Sequence, residues 1–250
     1  MRIRDQYLNL LEKSLLDIIY SPQVSESQSW DAERAGQQAS EAEIEEGKYW
    51  PARAHTMIGR KRLRNLRDVL EVVLTEGIPG DFMETGVWRG GASIYAKGVL
   101  EAYGDSTRKV ILADSFCGLP KPDPQYSADQ GDAHWEVDFL RVSKDTVAKN
   151  FEAYDLLDER VIFIEGFFVD TLHKADVGEL AVLRLDGDMY SSTIQALDAL
   201  YAKVVDGGYI LVDDYALPNC KAAVDDYRGE YGIECPLVSV DWTGVYWRKQ

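Results

Sequence analysis

From residue 81 onwards five short apolar runs set the rhythm of the chain: 81–85, 109–114, 161–165, 180–185 and 208–213. Short unbroken apolar runs bounded by turn residues predict strands buried on both faces, and the helical stretches between them predict crossover helices. Two further runs, 236–240 and 243–248, lie too close for a helix: Asp241-Trp242 joins them and Thr243-Gly244 opens the second. They predict a hairpin, and so one antiparallel strand in an otherwise parallel sheet. The expected fold class is α/β, seven strands with helices on both faces.

Upstream the pattern changes. Leu8, Leu11, Leu15 and Ile18-Ile19 make residues 1–20 amphipathic, a helix whose apolar face would dock on the core or on a second copy of the chain as a homo-oligomer. Residues 21–50 hold seven acids among Ser, Gln and Ala with almost no apolar periodicity, which predicts a mobile segment, either a linker or a lid that orders over substrate. The expected organisation is thus an N-terminal helix and acidic lid segment over 1–56, followed by the α/β domain over 57–250. Within that domain residues 117–142 form the largest interruption. Gly118-Leu119-Pro120-Lys121-Pro122-Asp123-Pro124 excludes a regular helix or central strand, and the polar, aromatic stretch that follows predicts a second lid.

Candidate chemistry gathers where the strands end. Asp186-Gly187-Asp188 closes the run 181–185, and Asp213-Asp214 closes the run 209–212. In an open parallel sheet, ligands collect outside the carboxyl ends of the strands, and four carboxylates gathered there would repel one another without a positive partner. A divalent cation answers that need. At the same edge Asp81-Phe82-Met83-Glu84-Thr85 runs into Gly86-Val87-Trp88-Arg89-Gly90-Gly91 and then into a helical stretch. Glycines let the backbone approach a ligand, and the helix start supplies free N–H groups. The spacing Glu-x-Gly-x-x-x-Gly-Gly is not that of dinucleotide sites. The next strand ends on Asp114, placed to accept hydrogen bonds from ribose hydroxyls.

Together these pieces resemble the S-adenosylmethionine-dependent methyltransferase fold, the class I or Rossmann-like kind. Six motifs in one order resemble the macrocin O-methyltransferase family of antibiotic sugar methyltransferases over about residues 50–250: His55–Gly59, Glu84–Gly91, Ala113–Phe116, Asp186–Tyr190, Asp213–Tyr215 and Gly244–Arg248. The resemblance implies Asp186, Asp213 and Asp214 as Mg2+ ligands, leaving positions for two vicinal hydroxyls of a sugar. Asp188 would then be free to accept the proton of the reacting hydroxyl, with a fourth or outer metal partner as its alternative role. For the cofactor, Glu84 and Gly86 are expected against the methionine end, Thr56 and Met57 wrapped around it, and Ser93 donating to its carboxylate. Asp114 and Ser115 would take the ribose, and Gly166-Phe167 would lie beside the adenine.

Composition narrows the alternatives. A net charge of −16 opposes binding to a phosphate backbone, and the basic run Arg60-Lys61-Arg62 with Arg64 and Arg67 reads as the wet face of a helix, so no nucleic-acid partner is expected. No apolar run reaches the roughly 18 residues of a membrane span and no signal peptide is evident, so a cytoplasmic protein without a membrane partner is expected. Cys117, Cys220 and Cys235 suggest neither disulfide framework nor zinc site. His55, His134 and His173 read as surface or capping groups, with contact to substrate as the alternative for His134, beside Trp135 in the insertion; Tyr126, Trp135 and Phe139 offer stacking area for a sugar or apolar aglycone. The favoured reading is methyl transfer to a deoxysugar hydroxyl of a glycosylated natural product. Its competitors are a catechol-type O-methyltransferase on a phenolic substrate, a nicotinamide dehydrogenase and a non-catalytic binding protein.

Overall fold

The structure, a computed structural model, describes residues 3–26 and 33–250. The strands are β1 (Asp81–Thr85), β2 (Val110–Asp114), β3 (Val161–Glu165), β4 (Leu180–Leu185), β5 (Val204–Val212), β6 (Val238–Ser239) and β7 (Val245–Arg248). The helices are α1 (Ile3–Leu15), α2 (Glu41–Glu46), α3 (Arg60–Glu76), α4 (Gly91–Tyr103), α5 (Lys144–Ala153), α6 (Phe168–Thr171), α7 (Tyr190–Leu200) and α8 (Pro218–Glu230). One sheet takes the order β3-β2-β1-β4-β5-β7-β6. The first five strands pair in parallel, and β7 runs antiparallel to both β5 and β6.

Period-two alternation divides the strand side chains between two cores. Phe82, Leu112, Val182 and Leu211 face one side, with Leu63, Leu66, Tyr95 and Phe151 from the helices. Met83, Ile111, Leu183 and Ile210 face the other, with Leu197, Val224 and Trp247. Both faces being covered is what made these strands read as unbroken apolar runs. β5 begins four residues earlier than its run suggested. Gly207-Gly208 reads as a turn, but Leu180 pairs with Val204 and Val182 with Tyr209, so the extra residues form a bulge inside the strand.

Leu8, Leu11 and Leu15 of α1 are buried in the first core, and α1 packs on α4. The apolar face of the N-terminal helix therefore docks within the chain. The acidic segment, in its described part, has a small core of its own. Val24, Ala39, Ile44 and Tyr49 are buried together, and single bridges join Gln23 to Gln38 and Val24 to Pro51. Ser40 caps α2, accepting from the Glu43 N–H while the Glu43 carboxylate accepts from the Ser40 N–H at 2.8 Å. The expectation for residues 27–32 lies outside the described residues.

The basic run keeps its expected wet face at Lys61 and Arg64 but departs from it at Arg60, Arg62 and Arg67. Arg60 pairs with Glu12, Glu41 and Glu45, Lys61 with Glu46, Arg64 with Glu12, Arg67 with Asp5 and Glu71, and Arg62 is buried on Asp213 and Asp241. The first turn of α3 is thus the docking face for the acidic helix α2, a complementarity invisible when each run is read by itself.

Candidate active site

The order β2-β1-β4-β5 sets four strand ends side by side, and the ladder fixes their level: Thr85 pairs with Ala113 and Leu185, and Leu185 pairs with Val212. One residue further the backbone bonding continues, with Gly86 N to Ala113 O, Asp186 N to Thr85 O and Asp213 N to Leu185 O, each 2.9 Å. Gly86, Asp186 and Asp213 therefore stand in a row beside Asp114. Gly86 has φ +85°, and a Cβ there would fall 1.6 Å from the Asp186 carbonyl oxygen, so only glycine lets the loop pass this close to β4. Trp88, Phe116 and Asp188, non-glycine residues with positive φ, lie in the loops at this edge. Such conformations persist where the surroundings over-determine them, as functional loops do.

Two cavities open along the row. The first, of about 240 Å³, is walled by Gly86, Asp114, Ser115 and Phe167 among others, and the second, of about 470 Å³, by Tyr49, Trp50, His134, Asp213, Asp214 and Trp242. Met57, Val87, Trp88, Leu140, Asp186 and Asp188 belong to both walls. Thr56 is buried in the wall of the second cavity, and its hydroxyl accepts from the Ile58 N–H at 3.3 Å. The His55 carbonyl accepts from Gly91 N–H at 2.9 Å, which holds the 55–57 segment against the glycine loop.

On the first cavity's side, Asp114 accepts the N–H groups of Val87 and Phe116, both at 2.7 Å. Burial raises its carboxyl, and those N–H groups pull the other way. Ser115 donates to the Gly118 carbonyl at 2.6 Å, stitching the loop after β2. Phe167 is 36% exposed in the cavity wall, whereas Gly166 is tied by its N–H to the Asp114 carbonyl. Ser93 differs from its expected place. It is fully buried, and its hydroxyl donates to Glu84 rather than toward a cavity, because the helix turns that face of α4 onto β1. Glu84 in turn accepts from Arg184, and burial pushes its carboxyl up to about 7 against the pull of Arg184 and Ser93.

Asp186, Asp213 and Asp214 offer ligand oxygens that all lie within 4.8 Å of one another. Burial and the neighbouring carboxylates raise Asp186 and hold Asp214 well above the usual carboxylate range; Asp188 is pushed up to about 7 by burial and Asp186. Hard oxygens, converging, with more negative charge than the adjacent guanidinium groups balance, fit a divalent ion such as Mg2+. The compensation is unequal. Asp213 gives one oxygen to Arg184 and the other to Arg62, Asp186 pairs with Arg184 at 2.7 Å, and Asp214 accepts the Asp188 N–H at 3.1 Å. Asp188 stands beside this trio rather than apart from it.

Several residues of the site carried little or no functional signal in the sequence. Arg184 carried some: an arginine inside an apolar strand, two residues before Asp186, must find buried partners. Arg62 carried none, its partners being 151 and 179 residues away. Asp129 is fully buried and accepts the Tyr190 and Ser191 N–H groups at 2.7 and 2.9 Å, pinning the 117–142 insertion to the start of α7. His134 bonds Asp132 through Nδ1 at 2.9 Å; burial works to lower it, but Asp132 and Asp188 leave it raised.

A seven-stranded sheet with one reversed strand, and ligand-sized clefts at the carboxyl ends of β1, β2, β4 and β5, define a class I methyltransferase. The macrocin O-methyltransferase (TylF) family model matches residues 4–249, and the chain belongs to that family of O-methyltransferases. It is 45% identical over 247 residues, 98% of this chain and 93% of the other, to an 8-demethyl-8-(2,3-dimethoxy-alpha-L-rhamnosyl)-tetracenomycin-C 4'-O-methyltransferase of Streptomyces olivaceus. It is 50% identical over 207 residues, 82% of this chain and 79% of the other, to a demethyldecarbamoylnovobiocin O-methyltransferase of Streptomyces niveus. The solved structure of the O-methyltransferase NovP superposes with a TM-score of 0.92 at 45% identity, covering 99% of each chain.

Proposed function

We infer that this chain methylates a hydroxyl of a deoxysugar carried by a glycosylated natural product in antibiotic biosynthesis, using S-adenosylmethionine and Mg2+. The observation that carries the reading is the junction of the two cavities at Asp186 and Asp188. The smaller cavity has the features a nucleoside donor needs: a glycine loop, a fixed carboxylate at Asp114 and an aromatic face at Phe167. The larger is lined by Tyr49, Trp50, Trp88 and Trp242 with carboxylates at its floor, which suits a sugar hydroxyl attached to an apolar aglycone. The Streptomyces olivaceus relative acts, by its name, on a rhamnosyl group of a tetracenomycin, and supports the same substrate class here.

When bound, the donor would supply an electrophilic methyl group on sulfur, and Asp186, Asp213 and Asp214 would hold a divalent ion whose charge would make the acceptor hydroxyl more acidic. The chain supplies alignment and a proton acceptor. Asp188, in the wall common to both cavities, takes the hydroxyl proton as the oxygen–methyl bond forms and the methyl–sulfur bond breaks. Trp50 and Phe139, stacked at 5.2 Å, bring the N-terminal segment and the 117–142 insertion together over the acceptor cavity, so both act as lids that exclude water. No helix among the described residues is long and apolar enough to cross a membrane, and a cytoplasmic enzyme acting on a diffusible glycoside is part of this reading.

Calorimetry with S-adenosylhomocysteine, followed by a screen of glycosylated polyketides, aminocoumarins, macrolides and free catechols with and without EDTA, tests it. Methylation of a glycoside, lost in EDTA and restored by Mg2+, is expected. Turnover of catechols with none of glycosides would contradict the substrate class.

A further inference from the structure

We propose that Arg62 is a positioning residue that sets the orientation of the metal-ligating carboxylate of Asp213 by tying it to Asp241 in the turn between β6 and β7. This rests on the metal reading above and extends it to a residue outside the ligand set. Arg62 lies in the first turn of α3 and is 8% exposed. Its Nη1 donates to Asp213 Oδ2, and its Nε donates to Asp241 Oδ2 at 2.8 Å. Asp241 is fixed in turn: its Oδ1 accepts the N–H groups of Thr243 and Gly244 at 3.0 and 2.7 Å. The Thr243 hydroxyl donates back to the Asp213 carbonyl at 3.0 Å. Asp213, Arg62, Asp241 and Thr243 thus form a closed ring that holds this ligand by side chain and by main chain.

The passage through which Arg62 reaches the site is shaped around it. A Cβ on Gly244 would lie 2.9 Å from Arg62 Cδ and 3.0 Å from Cγ, and one on Gly47 would lie 2.6 Å from Arg62 Nη2. The guanidinium therefore runs between two backbone segments with no room for a side chain on either. With Arg184 on the other oxygen of Asp213, both edges of the carboxylate are set before any ion arrives. Asp214, which accepts the Asp188 N–H, has no guanidinium partner among the described residues, so the ring acts on one ligand of the three. A planar fork can address Asp213 and Asp241 at once, which the single ammonium of a lysine cannot reproduce. Outer partners of metal ligands commonly alter metal affinity by about 10- to 100-fold when replaced.

The test is a Mn2+ titration followed by electron paramagnetic resonance on the full chain, comparing wild type with Arg62→Lys, Arg62→Met and Gly244→Ala, and with S-adenosylhomocysteine affinity measured in parallel as the control for folding. Oxygen sites of this kind accept Mn2+ in place of Mg2+. Arg62→Lys and Gly244→Ala are expected to bind Mn2+ about tenfold or more weakly, with an altered fine structure and with affinity for the donor product within about twofold of wild type. Wild-type Mn2+ affinity in Arg62→Lys, or tighter binding in Arg62→Met, would overturn the proposal, since the arginine would then only neutralise charge. If Arg62→Lys loses the donor product as well, Gly244→Ala decides, because it crowds the arginine without removing it. A wild-type protein that binds no Mn2+ would instead refute the metal reading itself.

Discussion

The floor and the roof of the active site are built by different means. The floor is a row of strand ends in which main-chain hydrogen bonds carry the register past β1, β4 and β5 to Gly86, Asp186 and Asp213, above strands buried on both faces. The roof, residues 33–56 and 117–142, has a few main-chain ties, such as the Gly91 N–H on the His55 carbonyl, and is otherwise held by side chains: ion pairs from α2 to α3, the Trp50–Phe139 stack, the Trp242 indole donating to the Glu46 carbonyl at 2.7 Å, and Asp129 on α7. Groups that converge within ångströms rest on the rigid scaffold, and the outer walls of the larger cavity rest largely on loops, where shape can differ at small cost to the fold.

The largest effect should come from the floor's chemistry. Asp188→Asn is expected to lower turnover by about 10²- to 10⁴-fold while leaving donor-product and Mn2+ binding intact, as seen in steady-state rates beside two binding titrations. Substantial residual turnover would remove Asp188 from its role as proton acceptor. Next, a cavity three carbon atoms in size in each region should separate them. Leu183→Ala, at a fully buried position of β4, should cost about 2–5 kcal/mol of global stability in denaturant unfolding. Ile44→Ala, in the small core of the roof, should chiefly raise the KM for acceptor, and an equal loss of global stability from both would erase the distinction. Asp129→Ala leaves two N–H groups of α7 without their acceptor and should cost about 1–3 kcal/mol, with hydrogen exchange rising in 117–142 ahead of the sheet.

The smallest effect is one of pH. The Arg34 guanidinium beside Glu43, with Ser40, lowers its carboxyl to about 2. A depressed carboxyl stabilises the roof fully above its ordinary range, near 4.5, and loses that contribution as pH falls toward about 2. Proteolytic susceptibility of the 33–56 segment should therefore climb through that interval in wild type and stay flat in Glu43→Gln.

The same division explains what the amino-acid order made legible. Floor strands announce themselves as short apolar runs, and an acid or glycine closing each run marks its end, so Asp114, Gly86, Asp186 and Asp213 were readable as neighbours once the sheet was assumed parallel. Roof contacts follow no such pattern. Ala39, Ile44 and Tyr49 recur every five residues, the period of neither helix nor strand, and they are buried against Val24 from outside the roof only in the finished fold. Arg62 looked like one cation in a helical face because its acceptors lie in β-strand turns far along the chain. Ser93, whose hydroxyl the resemblance sets toward the donor's carboxylate, bonds the nearer, buried Glu84 instead.

The central claim, that carboxylates from two neighbouring strand ends hold a hard ion where donor and acceptor meet, is tested most directly by methyl transfer from S-adenosylmethionine, after chelation, to the acceptor that the glycoside screen identifies. Turnover should vanish in EDTA, return with added Mg2+ in wild type, and fail to return in Asp214→Asn. Full activity of the chelated wild type, or normal Mg2+ rescue of Asp214→Asn, would contradict the account.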